Sequence, residues 1–529
     1  MSNNSNSTTS KMETFNRYRV NRPVDIVNIG YLLFISSVYS LYMHDMYFDI
    51  TGTRASTFIY GTLMYIILIA VSFALEVVMI RYYGAAEPIF YKDSKWFAMP
   101  EMWMIVFMLA NFTAFLMSDN KAGSWSGDTG RFFGLGIVMV ITFMFVFLSR
   151  ETCTTALNFV VLAATATCIF MLACVQHFGN DPFSLRARVV DRQKEMFIST
   201  FGNINTYASY ICIVLPIFVA FFVFSKKLWV RIISGVLITE AAMAIIPAKS
   251  DNVYLGLGVA FIILFYIAII NKNFTEYIFA VLFMGVGLEI MAILNKIWSG
   301  SQKHINGIAQ VVENPWVMLF FLILIAAVLI ISMIFRGVNY EMYKKVQSKK
   351  LLIVVSVLLV VGAVLVTIFG IKTHNSMFVF DDKWGTYRGY IWRRGWSLFM
   401  DANPLQKIFG YGNESIGKLM QSRYYSEMVE ITGKKYDNLH NEMLQYLVTT
   451  GIFGVASYIS VITASFIYIA KRMKDDPLAI ACLASGAAYV AQGLVNLNQP
   501  ITTPFFFVVI ALGIGHIRYR DQDFGQKNI

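Results

Sequence analysis

The chain has 529 residues, of which 57% are apolar, and its 43 Lys+Arg and 32 Asp+Glu residues cluster between long uncharged runs. A composition of this kind excludes a water-soluble globular protein. Because a membrane span needs about 20 mostly apolar residues, about fourteen spans would use nearly all of the apolar residues. The sequence therefore predicts an all-α, polytopic bundle of transmembrane helices.

The apolar runs, taken in chain order, predict spans at 27–43, 57–80, 96–117, 132–148, 153–175, 206–225, 231–248, 253–271, 277–296, 315–335, 351–371, 447–470, 478–493 and 504–517. These spans divide the chain into five parts: a cytoplasmic N-terminal tail (1–24), a bundle of about eleven spans (25–371), a large extracytoplasmic loop (372–446), three C-terminal spans (447–517) and a cytoplasmic tail (518–529).

The charges of the connectors predict the orientation. If both chain ends are cytoplasmic, the connectors on that side carry 23 Lys and Arg, and the short connectors on the other side carry six, namely Arg54, Lys121, Arg131, Lys249, Lys296 and Lys303. This asymmetry follows the positive-inside rule. The net charge of +11 is therefore a topology signal. Because there is no basic stripe with interleaved aromatic residues, we expect no nucleic-acid partner.

The loop 372–446 is much longer than a connector needs to be, and loops of this length in compact folds are usually functional or disordered. It holds 10 Lys/Arg and 8 Asp/Glu, together with aromatic residues that can pack against the bundle or the membrane surface: Trp384, Tyr387, Tyr390, Trp392, Trp396, Phe399, Phe409 and Tyr411. This composition argues against disorder.

Within the loop, the stretch RGYIWRRGWSLFMDANP (388–404) predicts a helix that Pro404 and the following glycines end. One stripe of this helix contains Arg388, Ile391, Trp392, Gly395, Trp396 and Phe399. A guanidinium that faces an apolar stripe is costly unless it meets an anion, so the pattern favours a functional role for Arg388. Arg393 and Arg394 point elsewhere, and for them a solvated face near lipid headgroups is an equal alternative.

The loop ends in YDNLHNEMLQYLVTTGIFG (436–454). Asp437 or Asn438 can cap a helix that continues into the next span, which would place His440 in the first turn at the outer surface. A histidine held there can take a proton from a hydroxyl group. Taken alone, a histidine at a helix start is more often a polar surface residue, so its interpretation depends on context.

Four segments, in this order, resemble the O-antigen ligase and O-antigen polymerase superfamily of bacterial envelope glycosyltransferases. GNINTYASYICIVLP (202–216) resembles the family's Gly-Asn-x-Asn start of a span, and AKSDNVYLGLGVA (248–260) resembles its short Ser-Arg-Gly loop. Arg-x-x-x-Trp followed by Asn-Pro and Gly-Tyr-Gly (388–412) resembles the start of its large external loop. Leu-His-Asn-x-x-Leu with two later glycines (439–454) resembles the end of that loop.

The resemblance covers about residues 200–520 and implies an active site on the outer face. There a glycan leaves a polyprenyl diphosphate carrier and is joined to an acceptor hydroxyl, without a metal ion or other cofactor. His440 matches the family's loop histidine, the general base, and Arg388 matches the loop arginine that holds the donor diphosphate. Arg192, in the external segment 176–205, and Arg393 and Arg394 are further candidates for binding diphosphate or glycan.

The chain departs from the family pattern at two positions. Asp251 follows Ser250 where the family usually has arginine, and Lys249 can supply that cation from the residue before the serine. For Lys249, an ordinary loop lysine is an equal alternative. Ile204 stands where the family commonly has proline.

The sequence thus favours an integral membrane glycosyltransferase, a polysaccharide polymerase or ligase, in the cytoplasmic membrane of a bacterium. The expected partners are a polyprenyl-diphosphate-linked glycan donor, a glycan or lipid acceptor, membrane lipids and other polysaccharide assembly proteins. One alternative is a lipid-linked oligosaccharide flippase, although a flippase would be expected to show two similar halves. Another is a non-catalytic assembly protein of the same fold, which the missing Ser-Arg pair suggests.

Overall fold

The computed structural model describes residues 22–83, 99–127, 130–150, 152–298, 312, 314–338, 340–341, 349–374 and 378–526. Nearly all of the predicted tail 1–24 and the last residues of the predicted tail 518–529 lie outside this part of the chain. Within the described part the protein is helical apart from one antiparallel pair of two-residue strands, Phe197–Ile198 (β1) and Gly202–Asn203 (β2).

The helices of the described part are numbered here in chain order. They are α1 (Pro23–Ser36), α2 (Val38–Leu41), α3 (Ile50–Tyr83), α4 (Pro100–Met117), α5 (Lys121–Ser126), α6 (Leu135–Arg150), α7 (Ala156–His177), α8 (Ile204–Phe224), α9 (Leu228–Ile245), α10 (Asn252–Ile270), α11 (Phe274–Ile297), α12 (Pro315–Val338), α13 (Lys349–Lys372), α14 (Trp384–Met400), α15 (Pro404–Phe409), α16 (Ile416–Thr432), α17 (Glu442–Ala470), α18 (Pro477–Gly493) and α19 (Thr503–Gln526). Two 3₁₀ turns, Asp191–Met196 and Ile246–Ala248, precede β1 and follow α9.

Every predicted span overlaps one of these helices. Ten helical segments in the described residues are long and apolar enough to cross a membrane, and α6 and α18 are shorter apolar helices. Helices are expected at these positions because a chain that crosses lipid must satisfy its backbone hydrogen bonds within the segment. The prediction of an all-α polytopic membrane bundle is confirmed.

Helix α8 lies at the centre of the bundle, where its most apolar stretch is buried on all sides. It packs against α18, which is rich in small residues (PLAIACLASGAAYVAQG), and both contact α10. At Gly256 of α10 a side chain would clash with the carbonyl of Ala488 and the Sγ atom of Cys212. Such close backbone approach is how helices associate in lipid, where burial of apolar surface gives little net gain.

Buried arginine side chains join parts of the chain that are far apart in sequence at each end of the bundle. At the end that carries residues 373–441, here called the site end, the Arg54 guanidinium donates to the carbonyls of Ser40 and Thr200 at 2.8 and 2.6 Å. At the opposite end, here called the far end, Arg518 pairs with Glu101 in the interior.

The segment 373–441 folds into the helices α14, α15 and α16 and has a small apolar core of its own. That core is formed by Tyr390, Ile391, Leu398, Phe399, Ile416, Met420, Met428, Leu439 and Val448. The predicted buried stripe of α14 is correct at Ile391, Gly395 and Phe399, whereas Trp396 is 52% exposed. The helix ends at Met400, four residues before Pro404. Pro404 is the first residue of the next helix, α15, a position that proline favours.

Candidate functional site

His440 lies in the segment that enters α17, and the preceding residue, Leu439, is held by hydrogen bonds at both its carbonyl and its N–H. Trp392 donates its indole N–H to the carbonyl of Leu439 at 2.9 Å, and the Leu439 N–H donates to the side-chain oxygen of Gln445 at 3.0 Å. His440 has a positive φ of 46°, which residues other than glycine adopt at a cost. The surrounding hydrogen bonds therefore hold the backbone from which the His440 side chain projects.

The helix cap differs from the sequence prediction. Asn441 caps α17 by accepting a hydrogen bond from the N–H of Leu444 at 2.9 Å, so His440 lies just before the helix and not in its first turn. The residues predicted as caps have other partners. The Asn438 side chain accepts a hydrogen bond from the N–H of His440 at 3.1 Å, and Asp437 pairs with Arg131 at 2.7 Å.

A kink in α17 docks the long loop onto the bundle. At Gly451 the backbone leaves the helical region, with φ 69° and ψ −172°. The carbonyls of Val448 and Thr449 accept hydrogen bonds from the N–H groups of Tyr411 and Gly412, at 3.1 and 2.9 Å. A side chain at Gly451 would clash with the carbonyl of Ile408. The Gly-Tyr-Gly turn and the glycine-containing start of α17, far apart in sequence, thus form one joint.

Arg388 lies at the start of the regular part of α14. The three preceding residues, Gly385, Thr386 and Tyr387, have positive φ angles, so the regular helix begins only at Arg388. Its Nη1 atom donates to the carbonyl of Gly385 at 2.9 Å, while its Nε atom is buried and has no hydrogen-bond partner among the described residues. The guanidinium therefore has one donor that the described residues do not use.

Arg388 and His440 influence each other electrostatically. Burial and the guanidinium groups of Arg388 and Arg131 lower the pKa of His440 to about 3, and Asp437 opposes this weakly. The Nδ1 atom of His440 is buried and has no hydrogen-bond partner in the described part of the chain. The imidazole is therefore neutral at pH 7 and has an unused ring nitrogen.

Burial lowers the pKa of Arg388, and the neighbouring Tyr436 and Asp251 partly offset this effect. Asp251, the residue before α10, stands where the family usually has arginine. Its carboxylate lies close enough to the Arg388 guanidinium to affect the pKa of that group. A carboxylate at this position balances part of the positive charge of the site.

Arg131 belongs to this group, but the sequence pattern did not single it out as a site residue. It follows α5 in a short connector, and its guanidinium pairs with the Asp437 carboxylate at 2.7 Å, with both side chains mostly covered. Burial raises the pKa of Asp437, but the ion pair with Arg131 outweighs this and lowers the pKa below its usual value. The only sequence signal for Arg131 is its place among the few basic residues of the short external connectors.

Lys249 and Arg192 lie in or next to the 3₁₀ turn Asp191–Met196 of the site end. Lys249, which has a positive φ of 44°, lies 3.7 Å from the Glu195 carboxylate. Arg192 is exposed in the same 3₁₀ turn as Glu195. Among the described residues, no hydrogen bond or ion pair joins Arg192 to Arg388 or His440.

Arg393 and Arg394 are both paired with carboxylates. Arg393 pairs with Asp382 on an exposed face of α14. Arg394 pairs with Glu427 of α16 and lies over the rings of Tyr390 and Tyr424, at 5.7 and 5.0 Å from their centres. Arg394 thus joins α14 to α16 within the folded loop.

The arrangement offers two guanidinium groups and a neutral imidazole at a common location. Among the residues that the structure describes, no three His, Cys, Asp or Glu side chains converge to hold a metal ion. Fixed guanidinium groups stabilise negative charge, particularly on phosphate oxygens, and a neutral imidazole accepts protons. The site is thus suited to displacing an anionic leaving group while a hydroxyl loses its proton.

Comparison with known proteins agrees with this description. A protein-family model described as O-antigen ligase matches residues 196–459, about half of the chain. The matched region runs from the 3₁₀ turn before β1 into α17, so it includes both Arg388 and His440 but not Arg131. No curated protein matches the chain significantly. With its membrane bundle and its large loop before the last three predicted spans, the chain belongs to the O-antigen ligase and polymerase superfamily.

Proposed function

We propose that this protein transfers a glycan from a polyprenyl diphosphate carrier to an acceptor hydroxyl, as a polysaccharide polymerase or an O-antigen ligase. The observation that carries the proposal is the neutral His440 imidazole beside the Arg388 and Arg131 guanidinium groups. Membership of the family supports an enzyme of this general type. The donor, the acceptor and the reaction without a metal ion are part of the proposal.

In the proposed reaction the acceptor hydroxyl attacks the anomeric carbon of the donor glycan. The bond from that carbon to the carrier diphosphate breaks, and the electron pair leaves with the diphosphate. His440 takes the hydroxyl proton, and Arg388, assisted by Arg131, stabilises the leaving oxygens. Removing one preorganised base or cation from such a site costs on the order of 10²–10⁴ in rate.

Binding of the donor would also increase the basicity of His440. Two nearby guanidinium groups contribute to its low pKa in the free protein. A diphosphate placed between them offsets their charge and raises the pKa of the imidazole towards its usual range. The site would therefore hold a weak base until the donor arrives, and a stronger base while both substrates are present.

Of the remaining candidates, Lys249 and Arg192 are proposed as binding residues, and Arg393 and Arg394 as residues of the loop fold. Lys249 and Arg192 lie near the 3₁₀ turn at the site end, where they can meet the distal part of a diphosphate or glycan. Arg393 and Arg394 would contribute through the loop fold, since carboxylates already balance their charge. We further propose that the site end faces outside, in the cytoplasmic membrane of a bacterium.

The proposal is tested with purified protein in liposomes that contain polyprenyl-diphosphate-linked oligosaccharide and an acceptor. The variants His440→Ala and Arg388→Ala should reduce new glycosidic bonds by at least a hundredfold while the protein still inserts. Arg393→Ala, on the exposed face of the same helix, is the matched control and should retain most activity. Wild-type product levels from both site variants would reject the assignment. Movement of the donor across the bilayer without a new glycosidic bond would instead favour a flippase.

A further inference from the structure

A second possible binding site lies far from His440. A cavity of about 800 Å³ opens among α1, α7, α8, α9, α18 and α19. Neither His440 nor Arg388 nor Arg131 lines it. Its mouth is formed by the connectors 154–155, 226–229 and 472–477, which are at the far end of the bundle. The proposed transfer reaction therefore does not use this space.

The walls of the cavity are almost entirely apolar. Helix α8 contributes a row from Tyr210 to Phe221, and α19 contributes Val508, Val509 and Leu512. The eleven residue-to-residue steps from Tyr210 to Phe221 correspond to a depth of about 17 Å. A long apolar slot of this kind fits a hydrocarbon chain.

The mouth of the cavity carries excess positive charge. Asp476 is already satisfied, because it pairs with Arg520 at 2.9 Å and with His516 at 3.1 Å and caps α18. Three further basic residues, Lys226, Arg472 and Lys474, line the mouth together with one further carboxylate, Asp475, so basic residues remain in excess. None of these three basic residues has an ion pair with another residue of the described part. Arg472 is positioned by stacking on the ring of Tyr468, 4.1 Å from its centre.

An apolar slot under a basic mouth, at the end of a membrane bundle, has the two features that an anionic lipid needs. Basic pockets between transmembrane helices bind phosphate headgroups, and apolar walls accept the chains. We propose that this cavity binds one anionic phospholipid of the leaflet at the far end. Its phosphate lies among Lys226, Arg472 and Lys474, and an acyl chain lies along α8 and α19.

The test uses the full-length protein in nanodiscs of phosphatidylglycerol or phosphatidylcholine, followed by native mass spectrometry of the lipid that the released protein retains. Wild type should retain one phosphatidylglycerol and no phosphatidylcholine. The double variant Lys226→Glu/Arg472→Glu should bind phosphatidylglycerol at least tenfold more weakly. Lys471→Glu is the matched control, because Lys471 is an exposed neighbour that does not line the cavity.

A second pair of variants tests the slot without a change of charge. Leu512→Trp fills the cavity and should abolish lipid retention, whereas Ile459→Trp, on an exposed face of α17, should not. Equal retention by wild type and the double glutamate variant would overturn the proposal. Displacement of phosphatidylglycerol by an equimolar isoprenoid phosphate would overturn the assignment to a phospholipid.

Discussion

The indole N–H of Trp392 donates to the backbone carbonyl of Leu439 at 2.9 Å and so joins the helix that carries Arg388 to the segment that carries His440. The hydrogen bond crosses 47 positions of the chain. It acts on the backbone next to His440, where φ is positive and the local conformation is unfavourable on its own. Trp392 is therefore a positioning residue for the proposed catalytic pair.

The variant Trp392→Phe tests this role. An aromatic ring remains, but the indole donor and part of the packing volume are lost, so the protein should lose about 2 kcal/mol of stability. We expect kcat to fall about tenfold with little change in KM, because the base is misplaced while donor binding persists. Trp396→Phe is the control, since Trp396 is 52% exposed on the same helix. Equal kcat values for the two variants would show that the hydrogen bond does not orient His440.

The joint at Gly451 leads to a second prediction. In Gly451→Ala the new methyl group overlaps the carbonyl of Ile408. The alanine would also have to adopt the positive φ of Gly451, so both steric overlap and backbone strain oppose the native joint. We expect loss of activity and a lower thermal midpoint. Gly433→Ala has a similar φ, 67°, but nothing within 4 Å, so it should show only about 1 kcal/mol of strain. If both variants kept full activity, the docking of the loop would not matter for the site.

The pH dependence of kcat/KM, which reports the free enzyme, gives a third prediction. The reaction needs neutral His440, and the pKa of this group is lowered to about 3, so acidification from pH 7 to pH 5 should leave it unprotonated. The acid limb should therefore lie well below the usual value of about 6.5. Arg131→Gln removes one of the cations that lower this pKa and should move the acid limb upward. The control variant Arg393→Gln should leave the acid limb of kcat/KM in place. An acid limb near pH 6.5 in the wild-type protein would contradict the burial of His440.

Arg388→Lys separates charge from geometry. Lysine keeps the positive charge but lacks the planar fork that binds two oxygens together, and it cannot place a donor where the unpartnered Nε atom lies. We expect activity between those of wild type and Arg388→Ala, with kcat reduced about tenfold to a hundredfold. Arg393→Lys is the control at an exposed position of the same helix. Full activity of Arg388→Lys would mean that only its charge is used.

The locations of Arg388 and His440 in the loop could be anticipated from residue type and spacing, but their surroundings could not. Asp437 was a reasonable cap by local pattern, yet it pairs with Arg131, which is 306 positions away. Asn441 then caps α17, and His440 is held outside the helix. The partner of Asp437 lies far away in the chain, and a pattern of neighbouring residues carries no information about such a partner.

The sequence by itself determined the helical class and the positions of the long apolar helices, because apolar length and backbone hydrogen bonding in lipid are local requirements. Only the tertiary structure placed Arg131 and Asp251 beside Arg388 and His440 and opened the apolar slot at the far end. These features depend on how helices pack against one another, and that packing rests on close contacts between residues that are far apart in the chain.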